Sequence, residues 1–396
     1  MPDRPTLLRL AGCALLITVT SAAGAQQRAA LARPDAESKE SFTRISGIRE
    51  LPSGKVLVAD MQDKVVQLVD FAAGTATKVG REGQGPGEFS LPAALLGLPN
   101  GETLLYDIMA RRFLTISPDG KPGGIVEMPR PAAAAQGTVG PVVAFGMNDV
   151  RGVDAQGRIY FQGSPFSPTG GTADSVAILR WDRVRPAFDT VGYVTQPAGS
   201  AVTSGGGNRV TMRIGGGKVW TPAETWDVAG DGRVARVSPS PYRVIWMAGP
   251  GKAVAGPAQP YAPLKVTEAE KALYKENLKK VKPMTITIGG PGGGGTRAGP
   301  PPAGFQPEEP EFAETMPPFV GRGSAFATPE GEVWVLRTRA AGDKIPTYDV
   351  FDRTGALVRK VSLNPDSRVV GFGKATVYVA RTDEDDLQYL QRYRRP

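Results

Sequence analysis

Histidine is absent from all 396 residues, and cysteine occurs once, as Cys13. Without imidazole or a downstream thiol, the usual zinc, copper and haem ligands are missing. So is the base of Ser-His-Asp and Cys-His catalysis. Proton transfer would fall to Asp, Glu, Lys or Tyr. A metal would have to be held by oxygen, which leaves calcium or magnesium. Long apolar runs are scarce too. One run, Leu10 to Val19, follows Arg4 and Arg9 and precedes Ser21-Ala22-Ala23-Gly24-Ala25. That pattern predicts a signal peptide over 1–25, cut after Ala25. Leu10-Ala11-Gly12-Cys13 has the letters of a lipobox, but its apolar run follows the cysteine instead of preceding it. No second run is long enough to cross a membrane, so no integral span is expected.

Removing the leader takes away Arg4, Arg9 and Asp3, lowering the formal net charge from +8 to +7. It also takes away the only thiol, so no disulfide is expected; a chain this long can bury enough surface without one. Lys and Arg are scattered along the chain and form no basic helix, which argues against a nucleic-acid partner. The expectation is a periplasmic or extracellular monomer.

What the chain has in quantity is a repeated turn. Six times a turn carrying glycine precedes a short apolar stretch: Pro52-Ser53-Gly54 before KVLVAD, Pro99-Asn100-Gly101 before ETLLYD, Ala155-Gln156-Gly157 before RIYFQ, Asp231-Gly232 before RVARV, Pro329-Glu330-Gly331 before EVWVLR, and Gly371-Phe372-Gly373 before KATVYVAR. A glycine turn plus a half-buried strand, repeated, predicts a radial array of small sheets. Six copies predict an all-β, six-bladed propeller with four-stranded antiparallel blades, forming one domain over 26–396. Within the first copy, strands are expected at 45–51, 55–60, 65–70 and 75–81. Blade 6 has only three strands before the chain ends, so part of Gln27–Phe42 is expected to pair outside the C-terminal strand and close the ring.

The segment from Val79 to Phe89, leading to Leu91-Pro92, resembles the inter-blade linker of NHL-repeat propellers. Asp60-x-x-Asp63-Lys64-Val65 resembles that family's D-x-x-N-x-R-I turn, with weaker echoes at Asp107–Phe113 and Asp383–Leu387. Residues 348–363 and 369–393 look like secreted bacterial six-bladed NHL-like propellers. The resemblance is good for blades 1, 2, 5 and 6 and loose for 3 and 4. It implies the fold but not one function, because the family includes protein-binding, RNA-binding and enzymatic members. Its amidating-lyase and streptogramin-lyase branches look histidine-dependent, and this chain has no histidine to carry over.

In an up-and-down blade, the turns between first and second and between third and fourth strands share one face. The remaining turns and the inter-blade linkers share the other. Sorted this way, the first face has only tight turns. The second collects Gly83–Leu91, Gly163–Ser175, Pro197–Asn208, Arg337–Thr347 and an insertion at 257–318. Long loops on one rim are where binding or catalysis usually sits. Within the insertion, Thr267-Glu268-Ala269-Glu270 is a capping box that predicts a helix within about 264–282. Ala269, Leu273, Tyr274, Leu278 and Val281 form an apolar stripe able to rest on the propeller. The Gly/Pro-rich stretch, about 286–318, is expected to be disordered.

Asp60, Asp107, Arg337 and Arg381 end second strands on the loop-rich face. With Arg339 they are the candidate ligand-binding residues, and the cluster of Arg337, Arg339, Lys344 and Arg381 in blades 5 and 6 gives an expected modest preference for anionic groups. No catalytic residue is assigned. Asp383-Glu384-Asp385-Asp386 reads as a solvated turn. Gly83-x-Gly85-x-Gly87 opens no helix and is no dinucleotide fingerprint. Two functions stay open: a non-catalytic secreted propeller binding a protein, peptide or envelope glycan on the loop-rich face, or a calcium-dependent, lactonase-like hydrolase or lyase. For the second, Asn148, Asp149 and Asp227 are the evident inner-strand oxygen donors.

Overall fold

The computed structural model describes residues 27–128, 149–163, 174–185, 187–196, 200–204, 209–215, 218–280, 285–289, 297–299, 309–321 and 323–396. The leader, Cys13 and Asn148 lie outside them, as does most of Gly163–Ser175 and part of Pro197–Asn208.

Six antiparallel sheets follow one another along the chain. Their inner strands are Ile45–Glu50, Pro92–Gly97, Asp149–Val153, Thr225–Val228, Ala325–Ala327 and Ser367–Phe372. The second strands include Val56–Asp60 and Thr103–Asp107, in which every residue is buried. Such strands lie between two blades and lose both faces to packing, which is why their sequences are continuously apolar instead of alternating. Outer strands such as Ala253–Ala255 are exposed throughout. Six hydrophobic clusters, each drawn from two successive blades, make the core a ring; the last joins Val56 and Val58 of blade 1 to Tyr378 and Leu390 of blade 6.

The repeated glycine has a direct cause. In five first-to-second turns its amide donates to the carbonyl three residues back, as in Gly54 to Leu51 (2.9 Å) and Gly331 to Thr328 (3.0 Å). Those five glycines have φ between 75° and 90°, where a side chain is strained. The sixth copy differs. In blade 6 the positive φ falls on Ala375 (58°), and Gly373 is required instead because a Cβ there would sit 2.0 Å from Glu50 Oε2.

Ring closure follows the expected route and adds a second strap. Ala36–Glu37 pairs antiparallel with Gln391 and Arg392 of the last strand, completing blade 6. Upstream, Gln27–Leu31 pairs in parallel with Arg359–Leu363 and adds a fifth strand to blade 5. The N-terminal segment therefore ties together the two blades nearest the C-terminus.

The largest departure from expectation lies in the long linkers. Ser200–Ser204 and Arg209–Gly215, from the linker between blades 3 and 4, form an accessory sheet with Thr285–Gly289 and Arg297–Gly299, from the insertion between blades 4 and 5. These two strands, and Thr315–Met316 paired with Leu264–Lys265, thus occupy part of the stretch expected to be disordered. The alternating Thr285-Ile286-Thr287-Ile288 gives the physical reason, since β-branched residues favour extended backbone. The helix, Glu268–Lys280, starts where its capping box places it. Its apolar stripe is not buried as expected: Leu273 and Leu278 are exposed, and Val281 lies outside the described residues. Tyr274 alone of the stripe enters an aromatic cluster, 5.7 Å from Trp220 and 5.6 Å from Phe312.

Candidate functional site

The candidate residues at the ends of the second strands do not share one environment. Asp60 and Asp107 are fully buried. Asp60 accepts the amides of Thr43 (2.7 Å) and Arg44 (3.0 Å) on one oxygen and those of Gln62 (2.9 Å) and Asp63 (3.0 Å) on the other. Asp107 repeats the arrangement one blade on, accepting Ser90 (2.8 Å) and Leu91 (3.1 Å) from the incoming linker and Ala110 from the following turn. Where ligand-binding residues on the loop-rich face were expected, these two carboxylates lie beneath the surface and fasten each incoming linker to the turn beside it. Arg112 completes the second knot by donating to the carbonyls of Gln84 (2.8 Å) and Glu88 (3.1 Å). The Gly83–Leu91 linker is accordingly tied down. Its Gly83 is needed for space, since a Cβ would fall 2.1 Å from Glu88 Oε2.

The arginines are committed as well. Arg337 donates to Asp349 at 2.9 Å, and Tyr242 donates to the same fully buried carboxylate oxygen at 2.9 Å. Burial first, and the neighbouring Asp349 second, push the Tyr242 phenol well above its ordinary range, so it serves as a hydrogen-bond donor and not as a base. Arg381 pairs with Glu37 of the closing strand at 2.9 Å and stacks 4.8 Å from the Tyr389 ring. It is a latch on the ring seam, and its hydrogen bonds hold the Glu37 carboxyl below its usual range. Arg339 is bound to the carbonyl of Asp343 alone (3.3 Å) and takes part in no ion pair among the described residues. Lys344, on the same loop, is exposed. The anionic preference expected of this face therefore rests on Arg339 and Lys344.

The helix is locked to that loop. Thr267 N–H donates to Glu270 Oε2 at 2.9 Å, Thr267 Oγ1 also bonds Glu270, and the other Glu270 oxygen accepts Ala341 N–H at 3.0 Å. The Thr267 hydroxyl, then the Ala341 and Thr267 amides, lower the Glu270 pKa from 4.5 to about 2. A depressed carboxylate contributes stability that is complete above pH 4.5 and is lost as the pH falls toward 2. Glu270→Gln should thus flatten acid destabilisation across that window and raise amide exchange in the helix at pH 7. An unchanged acid-unfolding profile would show that the lock carries no stability.

Along the axis runs a channel of about 1550 Å³ lined by the inner strands. It opens among Arg44, Gln62 and Asp385 on the loop-rich face and reaches Pro99, Gly230 and Pro329 at the other. Within it lie Arg49, Arg151 and Arg368, none of which the repeat pattern singled out. The available signal was position: Arg49 follows Ile48, whose side chain is buried between blades, so alternation turns Arg49 to the opposite side.

Of the expected calcium donors, Asn148 lies outside the described residues, and Asp227 is engaged with the backbone. Asp227 accepts Val228 N–H (2.9 Å) and Ala327 N–H (2.7 Å), bracing blade 4 against blade 5. Among the described residues, no group of three or more His, Cys, Asp and Glu side chains is arranged to hold a metal ion. Asp383 accepts the amides of Asp385 and Leu387 within its own turn, the solvated-turn role expected of it.

Neither a protein-family profile nor a curated protein matches this sequence. Solved structures similar in fold include a member of the DUF4221 family from Bacteroides vulgatus, with 8% identity, 90% of this chain and 94% of that chain covered, and a TM-score of 0.47. A calcium-binding protein, regucalcin, from Agrobacterium tumefaciens has 11% identity, 92% and 95% coverage and a TM-score of 0.42. A virginiamycin B lyase from Staphylococcus aureus has 12% identity, 88% and 94% coverage and a TM-score of 0.37. No helix among the described residues is long and apolar enough to cross a membrane.

Proposed function

We propose that this protein is exported and acts as a non-catalytic propeller, binding a protein, peptide or envelope glycan through its loop-rich face. The observation that carries the reading is the asymmetry of the two rims. One rim is made of short turns closed on themselves. The other bears the 337–347 loop, the helix Glu268–Lys280 fastened to it through Glu270, and the accessory sheet built from two separate linkers. A raised, shaped border on a rigid ring suits recognition. The commitment of Asp60, Asp107, Asp349 and Tyr242 to structural hydrogen bonds supports a non-catalytic role, and the absence of histidine agrees with it. Asp227, one of the expected donors, accepts two backbone amides, which gives the calcium-dependent alternative less support. Export rests on the leader pattern of residues 1–25.

Arg337 and Arg381 make poor probes of binding, because removing either strands a structural carboxylate. Arg339→Ala with Lys344→Ala is the better test. When the protein is incubated with envelope material from its own cells, amide protection should appear in 337–347 and in the helix. The double variant should bind about fivefold more weakly, with the melting temperature unchanged, as for two partly solvated rim charges. Protection confined to the Ser53, Asn100 and Glu330 turns would assign binding to the opposite face.

A further inference from the structure

We propose that the axial channel is a binding site for a small organic oxyanion, held between Arg368 near the loop-rich mouth and Arg49 deeper inside. This goes beyond the loop-face reading and does not depend on it, because the ligand sits inside the ring and not on its border.

Both arginines line the channel, and neither has a carboxylate within ion-pair distance among the described residues. Arg368 uses one nitrogen to reach two neutral oxygens, Ile45 O at 2.8 Å and Gln388 Oε1 at 3.0 Å. Its surroundings depress its pKa through burial, and Arg44 at the mouth adds repulsion. Arg49 is further from compensation. Its Nε is buried without a hydrogen-bond partner. The guanidinium lies against Gly97 of blade 2, where a Cβ would come within 2.4 Å of Cζ. The neighbouring carboxylate, Glu50, points the other way and takes the hydroxyls of Tyr378 and Thr376 at 2.6 Å each.

The acidic groups facing the channel do not cancel these charges. Asp154 is held by Arg158 at 2.7 Å and Tyr160 at 2.9 Å, and Asp227 by two backbone amides. Asp385 and Asp386 are exposed in a turn at the mouth. An unpaired, half-buried guanidinium costs stability unless something supplies charge and acceptors. Its planar fork of donors matches a carboxylate or sulfate.

Ile45, which fixes the Arg368 head, and Arg49 stand on the same inner strand with three residues between them. The channel volume exceeds that of a common small-molecule pocket, ~300–1,000 Å³, so a ligand with two or more anionic groups fits as readily as a single oxyanion.

The test measures melting temperature at low salt with citrate, sodium sulfate or glucose added, matching ionic strength with sodium chloride. At a hundredfold excess over Kd, citrate or sulfate should raise the midpoint by about 3 °C, and glucose should not. A shift with citrate alone assigns a carboxylate ligand, and one with sulfate alone assigns a sulfate-like one. Arg49→Met keeps the aliphatic stem and removes the uncompensated charge. It should leave the ligand-free midpoint unchanged or higher while abolishing the shift. Arg368→Met should also abolish the shift, at the cost of two hydrogen bonds. No anion-dependent shift in the unaltered protein would overturn the proposal, as would a shift that survives in Arg49→Met.

Discussion

Deleting residues 27–42 is expected to lower stability by on the order of 5 kcal/mol, or the melting temperature by roughly 5–10 °C. Leu31 and Phe42 are both buried, Leu31 in the cluster between blades 5 and 6 and Phe42 in the cluster between blades 6 and 1. Burying each of these side chains contributes about 1.5–3 kcal/mol. The segment also supplies backbone bonds to the last strand: Asp35 to Arg392 (2.8 Å), Ser38 to Leu390 (2.8 Å) and a reciprocal pair between Phe42 and Gln388 (2.7 and 2.6 Å). Without it, Gln388–Arg394 becomes an open sheet edge at the seam, so the truncated protein should also aggregate sooner on heating. Thermal unfolding of the deletion, monitored by circular dichroism and light scattering, measures both effects. An unchanged midpoint would show that the ring holds together without its N-terminal closure.

That closure was readable from the sequence because strand counting leaves blade 6 one short. The parallel strap of Gln27–Leu31 on blade 5 was not. QRAAL carries no strand signal of its own, and its pairing is set by where blade 6 happens to deliver the chain. The same division runs through the molecule. Glycine turns and buried second strands are local and repeat, so the six blades are legible. The accessory sheet joins residues 76 to 80 positions apart through loops rich in glycine, and only the short TITI run advertised it.

The charges at the strand ends were legible in the sequence, but their partners were not. Charged residues ending second strands do recur at one level of the ring, but recurrence itself has a structural cause. A position repeated in successive blades faces the same linker each time, and Asp60 and Asp107 meet the same pair of backbone amides. Arg381 occupies the matching place in blade 6, opposite Ser367 as Asp60 is opposite Ile45, yet its partner is Glu37 from the closing strand. Sequence shows the charge and not what meets it. The channel arginines escaped notice for the converse reason: they occur singly, in different blades, and converge only once the ring is closed.

Replacing Asp60 distinguishes a structural carboxylate from a ligand-binding one, and its effect should be large. Asp60→Ala leaves four backbone N–H groups at 2.7–3.0 Å without their acceptor, in a place with no exposure of the side chain's own site. A hydrogen bond to a charged group is worth about 1.5–3 kcal/mol, and some of the freed amides can turn to water as the turn loosens. A net loss of roughly 3–4 kcal/mol is therefore expected. Asp60→Asn should recover little of it, because its amide nitrogen must face one of the two pairs of N–H donors, setting donor against donor. Urea unfolding of the two variants provides the measurement, with hydrogen exchange at Thr43, Arg44, Gln62 and Asp63 showing whether the damage starts at the linker. A ligand-contacting aspartate would behave oppositely, with near-normal stability and weakened binding. Wild-type stability in Asp60→Ala would return this residue to the binding surface.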